Sequence, residues 1–137
     1  MRLIRAIYAS HKSEELSVQD IESILSDSRS NNARAEITGV LCFSHEHFLQ
    51  CLEGDRAAVN ELYNRITRDQ RHIDPFMIDY AEIEERAFSH WAMGFVPDTQ
   101  ISRELILRFS GSGRFDPTKM SAASALGFLK ALTHTIS

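Results

Sequence analysis

From Leu3 to Val96, segments that alternate at period two take turns with segments that repeat every three to four residues, and no other feature limits the fold as tightly. Leu3 to Tyr8 is short, apolar and strand-like. Ser17, with Asp20 three residues on, starts a helix in which Val18, Ile21, Ile24 and Leu25 recur at helical spacing. That helix is predicted to end around Ser30-Asn31-Asn32, since asparagine is tolerated at helix C-termini. Strands over Ile37–Phe43 and Phe48–Glu53 follow, joined by a polar turn at His45-Glu46. Asp55 is the predicted cap of a second helix with Val59, Leu62 and Ile66 on its buried stripe. Pro75 is predicted to open a strand over Phe76–Ile83, and a short strand around Trp91–Val96 closes the series. The order β-α-β-β-α-β-β predicts an α+β, ferredoxin-like βαββαβ sheet with an extra strand. Two helices, Ile101–Phe109 and Ser121–Leu132, are expected beyond Pro97. The chain thus divides into a core over 1–97 and a C-terminal helical extension over 98–137.

Charge narrows the partners. The 137 residues carry a net charge of −4 and their arginines are scattered singly, so no basic stripe is available to neutralise phosphates and no nucleic-acid partner is expected. The N-terminal MRLIRAIYAS lacks an apolar run followed by a small-residue cleavage site, and no apolar stretch is long enough to span a bilayer. A cytoplasmic location and no membrane partner are the expectation. Cys42 and Cys51 form no CxxC pair. In a hairpin turning at His45-Glu46 they would be diagonal neighbours about 7 Å apart, beyond comfortable disulfide reach, so both read as buried thiols. His45 and His47 flank Glu46 in that turn, which reads as a solvated turn and not a metal site.

The polar residues are more telling. Ile4, Ala6 and Tyr8 share one face of the first strand, and in the same hairpin register Phe48, Gln50 and Leu52 share a face with Leu41 and Phe43. Gln50 lies in the middle of an otherwise apolar strand, where an unsatisfied amide would cost about 1–3 kcal/mol. Tyr8 is its expected neighbour beneath the helices, with Asn31 and Asn32 at the helix end above. Trp91 and Met93 alternate around Ala92 and are expected to point the same way. A phenol, three amides, an indole and a thioether on one side of one sheet outline a pocket for a planar polar ligand.

At "RAIYAS", "SNNARAEITGVL", "FLQCLEGD", "RHID" and "ERAFSHWAMGF" the sequence resembles the BLUF domain, the blue-light sensor that uses FAD. The likeness covers Arg2 to about Val96 with the motifs in order. It implies a flavin held between the two helices over the sheet, its ring bonded by Asn32 and Gln50 with Asn31 and Tyr8 close by. Ile24, Leu41, Phe48 and Ile66 would be apolar walls, with Arg65, Asp69, Arg71 and His72 near the ring edge or the ribityl-phosphate tail. Met93 would also touch the cofactor. Neither GxGxxG nor GxxxxGK[ST] occurs, as this resemblance leads one to expect.

The implied photochemistry suits the residue types. Tyr8 can give an electron and a proton to the excited flavin, and Gln50, whose amide carries both donors and an acceptor, can relay and rearrange. Trp91 and Met93 complete the expected relay. The chain would then be a blue-light photoreceptor and not an enzyme, a short stand-alone form with little room for an appended catalytic domain. It would signal to a downstream protein, its own assembly being a homo-oligomer. Two readings compete: an acylphosphatase-like hydrolase using Arg34 and Asn32, and a light-independent module that binds a small metabolite.

Overall fold

The computed structural model describes residues 2–13 and 15–134. Met1 and residues 135–137, at the outer ends of the two predicted segments, lie outside the described residues. Strands β1 (Leu3–Lys12), β2 (Thr38–Phe43), β3 (His47–Asp55), β4 (His72–Glu82) and β5 (Gly94–Val96) form one sheet in the order β4-β1-β3-β2-β5. All neighbours are antiparallel except β2 and β5, which run parallel. Helix α1 (Val18–Ala35) joins β1 to β2, and α2 (Arg56–Thr67) joins β3 to β4. This is the ferredoxin-like order with a fifth strand added beside β2.

The hairpin register matches the expectation residue for residue. Leu41 faces Gln50, Phe43 faces Phe48, and Val40 faces Cys51. The turn closes by a 2.8 Å bond from the Ser44 N–H to the His47 carbonyl. The two cysteines are buried and not bonded to each other.

Each strand serves two cores, because alternate residues point to opposite faces. Ile4, Ala6, Tyr8, Leu41, Phe48 and Leu52 pack with Ile21, Ile24, Leu25 and Val59 of α1 and α2. Ile7, Ala9, Val40, Cys42, Leu49 and Cys51 pack on the other face against α3 (Arg103–Phe109) and α4 (Ala122–Thr133), where Ala125, Phe128, Leu129 and Leu132 are fully buried. Short 3-10 turns at Asp98–Gln100 and Pro117–Lys119 lead into these two helices.

Several details depart from the sequence reading, beginning with β1, which runs past Tyr8 to Lys12. Helix α1 runs through Asn31 and Asn32 to Ala35 and stops at Glu36, which adopts a left-handed φ of 56° and donates its N–H to the Asn32 carbonyl. Asn32 stays helical because its side chain is held elsewhere, donating at 2.7 Å to the Ala92 carbonyl. Strand β4 starts at His72, so Pro75 lies within it and does not open it. It is an edge strand, where a missing N–H is tolerated. Asp74 takes a φ of 50° and the pairing with β1 slips between Ala9 and His11. Asp55 occupies the N-cap position of α2 but its side chain makes no capping bond, whereas Ser17 and Asp20 form the full capping box of α1. Finally, β5 spans only Gly94–Val96, so Trp91 and Met93 lie before the strand and do not alternate as strand residues do.

The segment before β5 is anchored by a buried charge. Glu53 is fully buried, bonds Arg5 at 2.9 Å, and accepts from the backbone N–H groups of Ala87 at 3.0 Å and Phe88 at 2.8 Å.

Candidate cofactor-binding site

Pairing of β1 with β3 sets Tyr8 directly opposite Gln50 on the face covered by α1 and α2. The Tyr8 hydroxyl donates to Gln50 Oε1. Gln50 Nε2 in turn donates to Met93 Sδ at 3.3 Å. All three side chains are buried. Burial raises the Tyr8 phenol well above its ordinary pKa, with Tyr63 and Asp69 adding to the effect, so it holds its proton as a neutral donor. The edge of Tyr63 packs on the Tyr8 ring at 5.2 Å.

Above this floor a cleft lies between α1 and α2. It is lined by Ile24, Asp27, Ser28 and Asn31 from α1, by Leu62, Arg65 and Ile66 from α2, and by Gln50, Asp69, Arg71 and His72. At the rim, Arg71 binds Asp69 at 2.6 Å and reaches Asp27 at 3.9 Å. The Arg71 hydrogen bonds hold the Asp69 carboxyl below its usual range. His72 is buried against Phe48, with ring centres 4.8 Å apart, and its Nδ1 lies 3.0 Å from Ser10 Oγ. Burial lowers its pKa to about 4, so the ring is neutral near pH 7.

Eight of the residues expected at a cofactor therefore line one cleft: Ile24, Asn31, Gln50, Arg65, Ile66, Asp69, Arg71 and His72. Tyr8, Leu41, Phe48 and Met93 belong to the core directly beneath α1 and α2. Asn32 reaches the Ala92 carbonyl, one residue from Met93. Trp91 departs from expectation. Its ring packs with the opposite-face core and lies over Gly94, where an added Cβ would come within 3.2 Å of the indole. Trp91 and Met93 thus serve different faces, because the irregular backbone before β5 breaks the alternation.

Ser10, Asp27, Ser28 and Tyr63 were not singled out in the sequence, though spacing could have found three of them. Ser10 lies two residues beyond Tyr8 on the same strand face, and Asp27 and Ser28 fall one helical turn from Ile24 and from Asn31. Other expectations change. Arg34 and Asn32, the proposed pair of a hydrolase loop, both lie within α1, and Arg34 donates to Asn31 Oδ1 at 3.3 Å. His47 is not a solvated turn residue: it is 4% exposed, under Phe115 and beside Asp116 at 3.7 Å. No metal-holding group of three or more side chains occurs among the described residues, and no described helix is long and apolar enough to cross a membrane.

Comparison with known proteins matches residues 3–94 to the family described as sensors of blue-light using FAD, BLUF. The chain is 37% identical over 81 residues to the blue light- and temperature-regulated antirepressor BluF of Escherichia coli, covering 58% of this chain and 20% of that protein. It is 32% identical over 103 residues to photoactivated adenylate cyclase subunit beta of Euglena longa, covering 74% of this chain but 11% of that one. The chain therefore spans a fifth or less of these two relatives. Among solved structures it is similar over nearly full length to BlsA in its photo-activated state, with a TM-score of 0.86, 30% identity and coverage of 95% and 94% of the two chains. Similarity to dark-state BlrB, a BLUF protein, gives a TM-score of 0.83 at 30% identity, covering 98% and 96%.

Proposed function

The chain belongs to the BLUF family, sensors of blue light that use FAD, and we propose that in this member Tyr8, Gln50 and Met93 form the working relay beneath the flavin. When bound, FAD supplies a planar ring that absorbs blue light and can take up and return one electron. The residues present fit such a ring. Asn32 Oδ1 is buried with no partner among the described residues, so a ligand N–H would satisfy it. Its orientation is set by chemistry, since only the amide nitrogen can donate to the Ala92 carbonyl. Gln50 Nε2 carries two N–H groups, of which Met93 takes one. Ile24 and Ile66 would wall the ring, Leu41 and Phe48 of the core beneath α1 and α2 would support it, and Asn31 lines the same cleft. Arg65, Asp69, Arg71 and His72 are left for its edge or for the ribityl-phosphate tail.

The series from phenol to amide to thioether is the observation that carries this reading. Burial keeps the proton on Tyr8 while the phenol is reduced. Loss of an electron would make the phenol strongly acidic, and Gln50 Oε1 is already the acceptor of its hydrogen bond. A reoriented Gln50 amide would then present its carbonyl where its N–H groups had been, which changes the bonds offered to the cleft without any covalent product. Trp91, packed with the other core, is not assigned to this relay.

The expected phenotype is specific. Blue light should shift the flavin absorption of the unmodified protein reversibly to the red, whereas Tyr8→Phe should keep FAD, since the apolar contacts survive, and show no such shift. A normal, reversible shift in Tyr8→Phe would sink the relay.

The same reading assigns residues 98–137 to output and no catalytic step to the chain. Support comes from packing: Leu129 and Leu132 of α4 are buried against the back of the strands that carry Tyr8 and Gln50. A downstream protein or a second copy of this chain would read that change.

A further inference from the structure

We infer that Ser10 is a positioning residue, its hydroxyl holding His72 as the tautomer with the proton on Nε2 so that the ring presents a fixed hydrogen-bond donor to the flavin. This rests on the flavin reading above and assigns a partner and a protonation state within that site. Ser10 and His72 come from different strands, β1 and β4, and meet only where the pairing between those strands slips, between Ala9 and His11. Ser10 is fully buried, so its hydroxyl cannot rely on bulk water for a hydrogen bond, and His72 is 7% exposed. The Oγ–Nδ1 separation is 3.0 Å.

Satisfaction of donors decides the direction of that bond. A serine hydroxyl has one hydrogen to give, and among the described residues Ser10 has no side-chain hydrogen bond other than that with His72. If Nδ1 carried the proton, the Ser10 hydroxyl would accept it and be left with a buried hydrogen and no acceptor. If Ser10 donates, Nδ1 is the acceptor and both groups are satisfied. The single proton of the neutral ring then lies on Nε2, for which no protein acceptor occurs among the described residues. His72 lines the cleft, so this N–H is available to a ligand oxygen or nitrogen there.

The ring's surroundings favour the neutral form. Asp69 and Arg71 face it with opposite effects, Phe48 and Tyr8 pack at 4.8 and 6.2 Å, and burial outweighs the carboxylate. A neutral donor of fixed tautomer orients a ligand without becoming a competing cation beside Arg71.

Nitrogen NMR of FAD-loaded protein, labelled with nitrogen-15 in histidine and kept dark, reads this directly. His72 is assigned by the signal lost in His72→Gln. The expected result at pH 7 is a protonated Nε2 and an acceptor Nδ1, persisting as pH falls well below the ordinary imidazole range. In Ser10→Ala the fixed pattern should give way to a mixture of tautomers, and the Kd for FAD should rise about three- to tenfold, the loss of one neutral hydrogen bond. Ser10→Thr, which keeps the hydroxyl, should restore the single tautomer. A protonated Nδ1 in the unmodified protein overturns the inference even if Ser10→Ala fails to fold, as does an Nε2 tautomer undisturbed in Ser10→Ala. Protein that takes up no FAD at any concentration overturns the flavin reading and the donor role with it, whatever the tautomer.

Discussion

Gln50 sits between two partners of unequal versatility. A phenol can donate or accept, whereas a thioether can only accept. With Oε1 toward Tyr8 and Nε2 toward Met93, both contacts are satisfied. With the amide turned over, its carbonyl would face a sulfur that has no hydrogen to give. Met93 therefore favours the first orientation and should draw the amide back to it in darkness. Met93→Leu conserves volume while removing the acceptor. Losing about 0.5–1 kcal/mol from the dark orientation should lengthen dark recovery roughly two- to fivefold. Recovery timed after a blue flash checks this, and an unchanged or faster return would remove Met93 from the relay. At this scale the sequence was a good guide wherever a residue lay on regular strand or helix. Tyr8 beside Gln50 follows from strand periodicity and the sheet order, whereas Ile24 and Asn31 as cleft residues were implied by the family resemblance. Trp91 did not follow, because nothing in the letters HWAMGF shows where a strand begins.

Among the elements, the short β5 pairs with β2 along one edge, and side chains from elsewhere fix the segment leading into it. Asn32 holds Ala92, Arg29 donates to the Met93 carbonyl at 3.1 Å, and Glu53 secures Ala87 and Phe88. Glu53→Ala would strip two backbone donors of their acceptor and leave Arg5, whose side chain is 12% exposed, without its partner. Removing one member of a buried pair costs about 3–5 kcal/mol, and the partial exposure of Arg5 puts the expectation near the lower end. Urea unfolding should show a midpoint lowered with little change in slope. A loss below about 1 kcal/mol would mean that the pair is solvated and that β5 is held by other means. This anchoring explains which boundaries were legible. The capping box at Ser17 and Asp20 is local, so the start of α1 could be read directly. Its end could not, because Asn32 is retained in the helix by a carbonyl sixty positions away. Pro75 misled for a similar reason: only the sheet order shows that its strand is an edge.

For the whole molecule, acidity is the clearest lever. His72 is neutral in the folded state with a pKa of about 4, against an ordinary value of 6.5. Between those values the unfolded chain binds more protons than the folded one, so stability is full above pH 6.5 and falls as pH drops toward 4. The loss attributable to His72 is up to about 3 kcal/mol over that window. His47, whose pKa is also lowered by burial, acts in the same direction. Denaturant unfolding at pH 7.5 and 4.5 and constant ionic strength should show the drop, most of it absent in a folded His72→Gln variant. A flat profile would mean that His72 is protonated at little cost in the fold. The largest-scale feature carries one more consequence. Strand β3 is buried from His47 to Gly54 and is a party wall, its even-numbered residues furnishing one room and its odd-numbered residues the other. Substitution can redecorate either room separately. A single inserted or deleted residue near its start would exchange the furnishings, sending Gln50 in among the C-terminal helices and a cysteine to the cleft. This strand can therefore vary in letter while its length stays locked, and any drift in length must be taken up at the Ser44–Glu46 turn.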